Sequence, residues 1–388
     1  MRRHLLIKNA NAIIDDKVVA CDILINDNII ECVGFTGEIP ESWELFDAKG
    51  NFVSPGFIDL HIHGGGGFDF MDCTVEAFCK ISEIHLSNGT TTIVPTAVSS
   101  SFENTLKFIK TCKEAMNICP NIHGVHLEGP YISKAQKGAH KEYLLHSPNE
   151  EETKLLINEG RGIIKRITAA PELDGMKCFS EKMIENGISL SVGHSDATSD
   201  IVLAAFKQGF SHVTHLYSAT TSVRKINQEV KAGVVEAAYL DDNVSVELIA
   251  DGCHAAVDAL KLAVKIKGTD KVALVTDALR PAGTDVKESY LGEKNPENRV
   301  VIEDGVAKLP DRSSFAGSIA TTAMLLERGV NHYGFSLTDT VRMLTRTPAK
   351  ILGLSNKGVI KKSYIADIVI FDKNYKIRNV ILNGEIVK

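Results

Sequence analysis

From about residue 53 to 354 the chain alternates short apolar runs with helical stretches, and this alternation narrows the fold more than any other feature. Parallel strands need long crossover connections, usually helices, so the pattern predicts a parallel sheet covered by helices. The strand candidates are residues 57–63, 91–98, 122–128, 163–170, 188–194, 212–216, 244–250 and 272–276. Eight of them predict an α/β fold of the closed (β/α)8 type rather than an open sheet. Amphipathic runs at 75–86, 104–116, 175–186 and 200–207 lie between them, several ended by a glycine (Gly89, Gly187, Gly209) as helix C-termini often are. Residues 318–331 and 338–344 read as further helices. Residues 282–314, rich in glycine, proline and charge, read as a long loop or short hairpin over the barrel rim.

The flanks differ. Residues 5–52 carry short alternating segments broken by Asn26-Asp27-Asn28 and Gly34, and the last stretch repeats that pattern around Ile368 and Val380. The expectation is a small β-sandwich built from both termini, 1–52 plus 355–388, with the barrel, 53–354, inserted between its halves. Lysine and arginine number 43 against 49 acids, a net charge of −6 with no basic block, which argues against a nucleic-acid partner. The start, Met1 to Asn9, has three consecutive apolar residues before it turns polar, and no run approaches a membrane span, so a cytoplasmic protein without a membrane partner is expected. The eight cysteines show no Cys-x-x-Cys spacing, which fits reduced thiols better than a disulfide frame or a thiolate zinc site.

Active sites of such barrels form at the C-terminal ends of the strands, so the residue ending each strand matters most. His61 and His63 leave the same face of the first strand, near enough to grip one ion. Two core histidines are the alternative. Glu128 closes the third strand before Gly129-Pro130, as a metal ligand or as a loop acid or helix cap; His126 shares its face and can support it. His194 and His215 stand at matching places on the fifth and sixth strands, and neutral imidazoles suit divalent zinc or iron. Asp277 caps a wholly apolar eighth strand, where it could take a proton from a metal-bound water or else cap the next helix. The glycines at 64–67 suit close approach of backbone to a ligand, since no Gly-Lys-Ser/Thr follows them. Ser314-Phe315-Ala316-Gly317-Ser318 precedes a predicted helix whose amides could bind an anion or a sugar hydroxyl, with capping by Ser318 as the alternative.

These pieces resemble the amidohydrolase superfamily and, within it, the N-acetylglucosamine-6-phosphate deacetylase family. The resemblance runs over nearly the whole chain, through Pro55 to Gly64, His126-Leu127-Glu128-Gly129-Pro130, Lys137 to His140, Gly193-His194-Ser195, Thr214-His215-Leu216, Asp251 to His254, Thr276-Asp277-Ala278 and Ala316-Gly317-Ser318. It implies a divalent ion, zinc or iron, held by Glu128, His194 and His215, with His61 and His63 available for a second. It makes Asp277 the catalytic aspartate and a further metal contact, and His254 the histidine that meets the substrate carbonyl. Ala139, His140 and the backbone of Phe315, Ala316 and Gly317 match substrate contacts, and Ser218 and Ala219 are expected to line the substrate site with them. The implied activity releases acetate from N-acetylglucosamine 6-phosphate in amino-sugar catabolism, by a homodimer that completes its site across subunits. One segment departs from the family. Tyr217-Ser218-Ala219-Thr220 replaces the usual Phe-Asn-Ala-Met, and the loop up to Gly233 is longer. Arg224 is the leading phosphate candidate there, with Lys225 and Lys231 as competitors. Rival readings are an amidohydrolase acting on the galactosamine epimer, an N-acyl amino acid or a cyclic amide, and a noncatalytic metabolite-binding barrel.

Overall fold

In the computed structural model, which describes residues 3–388, all eight apolar runs form strands: Phe57–Ile62, Thr90–Ala97, Val125–Glu128, Ile164–Ala169, Ser189–Val192, Phe210–Val213, Ser245–Ile249 and Val272–Val275. They pair in chain order as one parallel sheet. The ring closes where Ile62 bridges Ala278. There the Asp277 amide donates to the His61 carbonyl and the His63 amide to the Ala278 carbonyl, both at 2.9 Å. Closure therefore sets the first and eighth strand ends, with His61, His63 and Asp277, side by side.

The fifth and sixth strands end two and three residues before the sequence suggests, because the chain turns off the sheet early. His194 and His215 lie just past their strands, with left-handed φ values of 48° and 27°, and Asp277 has φ of 48°. Such conformations are uncommon for residues with a Cβ and collect at functional sites. The crossover helices carry the expected start signals. Ser101 accepts the Asn104 amide to cap Phe102–Ala115, and Asn149 accepts the Glu152 amide ahead of three glutamates in the first turn of Glu150–Gly160.

Residues 282–314 hold more order than a loop or short hairpin. Glu288–Tyr290, Arg299–Glu303, Val306–Lys308 and Phe315–Ser318 form a four-stranded antiparallel sheet. Its tight turn runs through Asp304 and Gly305, both at positive φ (54° and 78°), and Leu279, Leu291, Val300, Ile302, Ala307 and Ala316 form its core. The Phe315–Ser318 segment is thus a strand and not a helix start. The helix begins at Thr322, capped by Thr321, so Phe315–Ser318 pairs with Val306–Lys308 rather than forming a helix N-terminus, and the Ser318 amide donates to the Asp277 carbonyl at 2.9 Å.

The contacts divide the described chain into two units: residues 60–82 with 93–320, and residues up to Asp59 with 83–92 and 321–388. The second unit contains the sheet that the termini build together. Phe52–Pro55 pairs parallel with His4–Ile14 and antiparallel with Ile368–Phe371, so the C-terminal strands extend the N-terminal ones in one hydrogen-bonded sheet. Leu5, Ile7, Ile23 and Ile25 from the N-terminal strands share a core with Ile368, Ile370 and Ile381 from the C-terminal ones. Each such side chain contributes about 1.5–3 kcal/mol when fully buried, which ties the two ends of the chain to one another. No disulfide joins any of the eight cysteines, and no helix among the described residues is long and apolar enough to cross a membrane.

Candidate active site

Glu128, the last residue of the third barrel strand, lies at the centre of a histidine cluster. His194 Nε2 lies 3.0 Å and His215 Nε2 2.9 Å from its Oε1. On the other oxygen, Oε2, His63 Nε2 approaches to 3.2 Å and His61 Nε2 to 3.5 Å. Asp277 Oδ1 faces the same pair, 3.2 Å from His63 Nε2 and 3.6 Å from His61 Nε2. In three sets of residues, His61 with Glu128 and His215, His61 with His63 and Asp277, and Glu128 with His140 and His194, potential ligand atoms lie within 4.8 Å of one another.

The backbone fixes which nitrogen each ring presents. His194 Nδ1 is 2.8 Å from the Gln136 carbonyl and His215 Nδ1 is 3.1 Å from the Ser218 carbonyl. A carbonyl only accepts, so both rings carry their proton on Nδ1 and aim Nε2 lone pairs at a carboxylate oxygen. Two imidazole lone pairs and a carboxylate oxygen at one point repel one another unless a cation sits among them, and a His/His/carboxylate set is the donor chemistry of divalent metals. The residues fit the ion. The field agrees: burial works against a proton on His63, yet the hydrogen bonds and charges of Asp277 and Glu128 raise its pKa to about 9. Burial also opposes charge on Asp277, and the neighbouring His63 and His61 nevertheless hold its carboxyl below the usual range.

The cluster forms the floor of a cavity of about 250 Å³. His63, Glu128, His194, His215 and Asp277 line it, while His61 is fully buried behind them. Ala139, His140, Ser218 and Ala219 form part of the wall, as do His254, Phe315, Ala316 and Gly317. Of the metal, catalytic and substrate residues expected from the sequence, these therefore reach the cavity, whereas His61, Arg224 and its competitors Lys225 and Lys231 do not line it. Arg224 stands on a hairpin, Arg224–Ile226 paired with Glu229–Lys231, and its guanidinium binds Asp196, 2.5 Å from the carboxylate and 2.6 Å from the carbonyl. Among the described residues, no lysine or arginine lines the cavity.

Two histidines are held without touching the ligand cluster's centre in the same way. His254 Nδ1 lies 2.7 Å from Asp251 Oδ2, and Asp251 Oδ1 accepts the amides of Cys253 and His254, both at 2.9 Å. Burial opposes the charge on His254, but Asp251 outweighs it and raises the pKa above the ordinary value. His140 behaves oppositely. It bonds Ser99 Oγ at 2.8 Å with Nε2 3.6 Å from Glu128 Oε2, and burial, despite Glu128, pushes it down to about 4, so it is neutral at physiological pH.

Sequence reasoning did not find the polar layer below the cluster. Glu247 and Arg166, both buried, form an ion pair inside the barrel, and Glu247 Oε2 lies 3.2 Å from His61 Nδ1. His126 sits in that layer rather than against Glu128, bonding Thr168 Oγ1 at 2.7 Å and packing edge-on to His61 with ring centroids 4.7 Å apart. The sequence signal for Glu247 and Arg166 is a charged residue within a strand, and a solvent-facing residue gives the same signal.

A closed parallel barrel with a histidine–carboxylate centre at its C-terminal rim defines a metal-dependent hydrolase class, and the chain belongs to the amidohydrolase family, whose model matches residues 52–387. Among its relatives, it is 31% identical to the N-acetylglucosamine-6-phosphate deacetylase of Haemophilus influenzae, over 94% of this chain and 93% of that protein. It is 30% identical to the N-acetylgalactosamine-6-phosphate deacetylase of a Shewanella species, over 95% of this chain and 91% of that one. In three dimensions it matches the crystal structure of N-acetylglucosamine-6-phosphate deacetylase from Pasteurella multocida with a TM-score of 0.92 and 29% identity, covering 99% of both chains.

Proposed function

We propose that this chain is a metal-dependent deacetylase that hydrolyses N-acetylglucosamine 6-phosphate to acetate and glucosamine 6-phosphate in amino-sugar catabolism. The observation that carries the reading is the pair of Nδ1-anchored rings, His194 and His215, converging on one oxygen of Glu128 at the floor of a cavity. The relatives named above supply the substrate. Glu128, His194 and His215 would hold one divalent ion, and His61 and His63, with Asp277, would hold a second; zinc or iron suits this donor set. A divalent ion bound there would supply Lewis-acid chemistry, polarising an acetamide carbonyl and lowering the pKa of a water. Asp277, ionised and facing the cavity, takes the proton of the attacking water and returns it to the departing amine. His254, kept protonated by Asp251, donates a hydrogen bond to the carbonyl oxygen as negative charge develops there. The walls formed by Ala139, His140, Ser218, Ala219 and the 315–317 backbone receive the sugar.

Acetate release from N-acetylglucosamine 6-phosphate, measured beside the unphosphorylated sugar and the galactosamine epimer on protein of known metal content, tests the reading. Preference for the first substrate supports it. The epimer is the second reading, favoured by the Shewanella relative and by the departure at 217–233, and higher kcat/KM on N-acetylgalactosamine 6-phosphate would install it.

A cytoplasmic homodimer is the proposed working form. A phosphate dianion requires a cationic partner, and the cavity of the single chain has none, so a basic side chain from a second copy would complete it. Arg224, on its projecting hairpin, is the candidate. Arg224→Ala is expected to raise KM for the phosphorylated sugar by roughly tenfold or more with kcat little changed, the pattern of lost uniform binding. An unchanged KM passes the role to Lys225 or Lys231.

The pH profile tests His254. Its raised pKa keeps the ring charged below that pKa, and activity that needs the charge is lost as pH rises through it. Asp251→Asn removes the partner that holds the proton, so the alkaline limb of kcat/KM is expected to move to lower pH. A limb that stays in place would show that His254 does not set it.

A further inference from the structure

We infer that Glu247 is a positioning residue that aims His61 at the second ion, an inference resting on the metal-dependent reading above. Glu247 projects from Ser245–Ile249 into the barrel interior and is fully buried. One carboxylate oxygen, Oε2, lies 3.2 Å from His61 Nδ1 and 3.3 Å from the backbone amide nitrogen of His215. The other, Oε1, takes the Arg166 guanidinium, with His212 Nε2 at 3.3 Å. Arg166 is tethered in turn, through Nη2, to the Leu60 carbonyl at 3.1 Å and to His126 Nδ1 at 3.1 Å.

Fold stability is a weak reason to keep such a pair, because well-packed apolar residues often replace a buried ion pair at no loss. Its position supplies a better one. The same oxygen touches the ring of one proposed ligand and the backbone of another. A carboxylate on Nδ1–H fixes the tautomer, leaves Nε2 free for an ion and makes that nitrogen more basic. The two histidines on the other side of the centre, His194 and His215, are oriented by backbone carbonyls, which no side-chain substitution removes. His61 alone among these three depends on a side chain for this contact, and that side chain is Glu247.

Glu247→Gln tests this, because Arg166 dictates how the new amide sits. A guanidinium has no acceptor, so the glutamine oxygen faces Arg166 and its NH2 faces His61. Donor then meets donor, and His61 must shift its proton to Nε2, the nitrogen the ion needs. Zinc titration with stoichiometry by elemental analysis is expected to show the second zinc bound roughly 10- to 100-fold more weakly, the first being retained. Arg166→Gln removes the same ion pair but leaves an oxygen on His61, so it should keep the second zinc; equal loss in both variants would reduce the pair to a structural role. Unchanged affinity for the second zinc in folded Glu247→Gln overturns the inference. [15N]Histidine NMR of the metal-free wild type reads the same contact without a variant: the His61 proton should sit on Nδ1, and a proton on Nε2 alone overturns the proposal even if Glu247→Gln fails to fold. A wild type that binds no zinc defeats the metal reading instead, and the tautomer still decides the role of Glu247.

Discussion

Replacing Asp277 by asparagine is expected to lower kcat on N-acetylglucosamine 6-phosphate by about 10³-fold, within the range that a positioned general acid–base group supplies. The substitution keeps shape and a coordinating oxygen, so the contacts at 3.2 Å and 3.6 Å to His63 and His61 can persist. It removes the ability to hold a proton. The field around Asp277 makes the result specific: His63 and His61 hold its carboxyl below the usual range, so it is ready to accept a proton at neutral pH. Metal content, measured by elemental analysis, and the melting temperature should match those of the wild type. Activity within about tenfold of wild type would remove Asp277 as the proton carrier. Lost metal would reassign it to coordination alone.

The histidine–carboxylate centre was legible because strand chemistry places it. His61 and His63 share a face by the period of two, Glu128 and Asp277 close apolar strands, and a barrel gathers strand ends at one rim. The order of the strands followed from eight apolar runs separated by helices. What stayed hidden depends on backbone choices and on the inside of the barrel. The left-handed turns at His194, His215 and Asp277 leave no residue signature, since none is a glycine. Glu247 and Arg166 sit on strands where a charge reads as a solvent-facing position, yet both point inward, because each finds its counter-charge across the barrel. The Phe315–Ser318 strand was hidden because serines and a glycine suit both caps and tight strand contacts, so the helix was expected from Ser318 rather than from Thr322. Gly317, at φ of 123°, packs against Leu279 and the Asp277 carbonyl where a Cβ would lie about 3 Å away, a close approach that a sheet beside the site requires.

Glu128→Gln should do more damage than any other single change. Its Oε1 faces His194 and His215 and its Oε2 faces His61, His63 and His140, so one carboxylate touches the histidines of both proposed ion positions. An amide offers one oxygen and an NH2 group in their place. The NH2 must then point at two or three imidazoles, hydrogen-bonding their lone pairs rather than letting those lone pairs reach an ion. Both ions are expected to be lost on dialysis, and added zinc should not restore activity. Lewis-acid stabilisation of several kcal/mol disappears with them, so kcat/KM should fall by at least about 10³-fold. Zinc should also raise the melting temperature of the wild type, because a ligand present at 100 times its Kd adds about 2.7 kcal/mol to the folded state, and should leave the variant unmoved. The distinction from Asp277→Asn is sharp, since that variant keeps its metal and loses turnover whereas this one loses both. A Glu128→Gln protein with wild-type metal content would mean that the histidines and Asp277 suffice to hold the ions without Glu128, and the centre would have to be redrawn around the eighth strand.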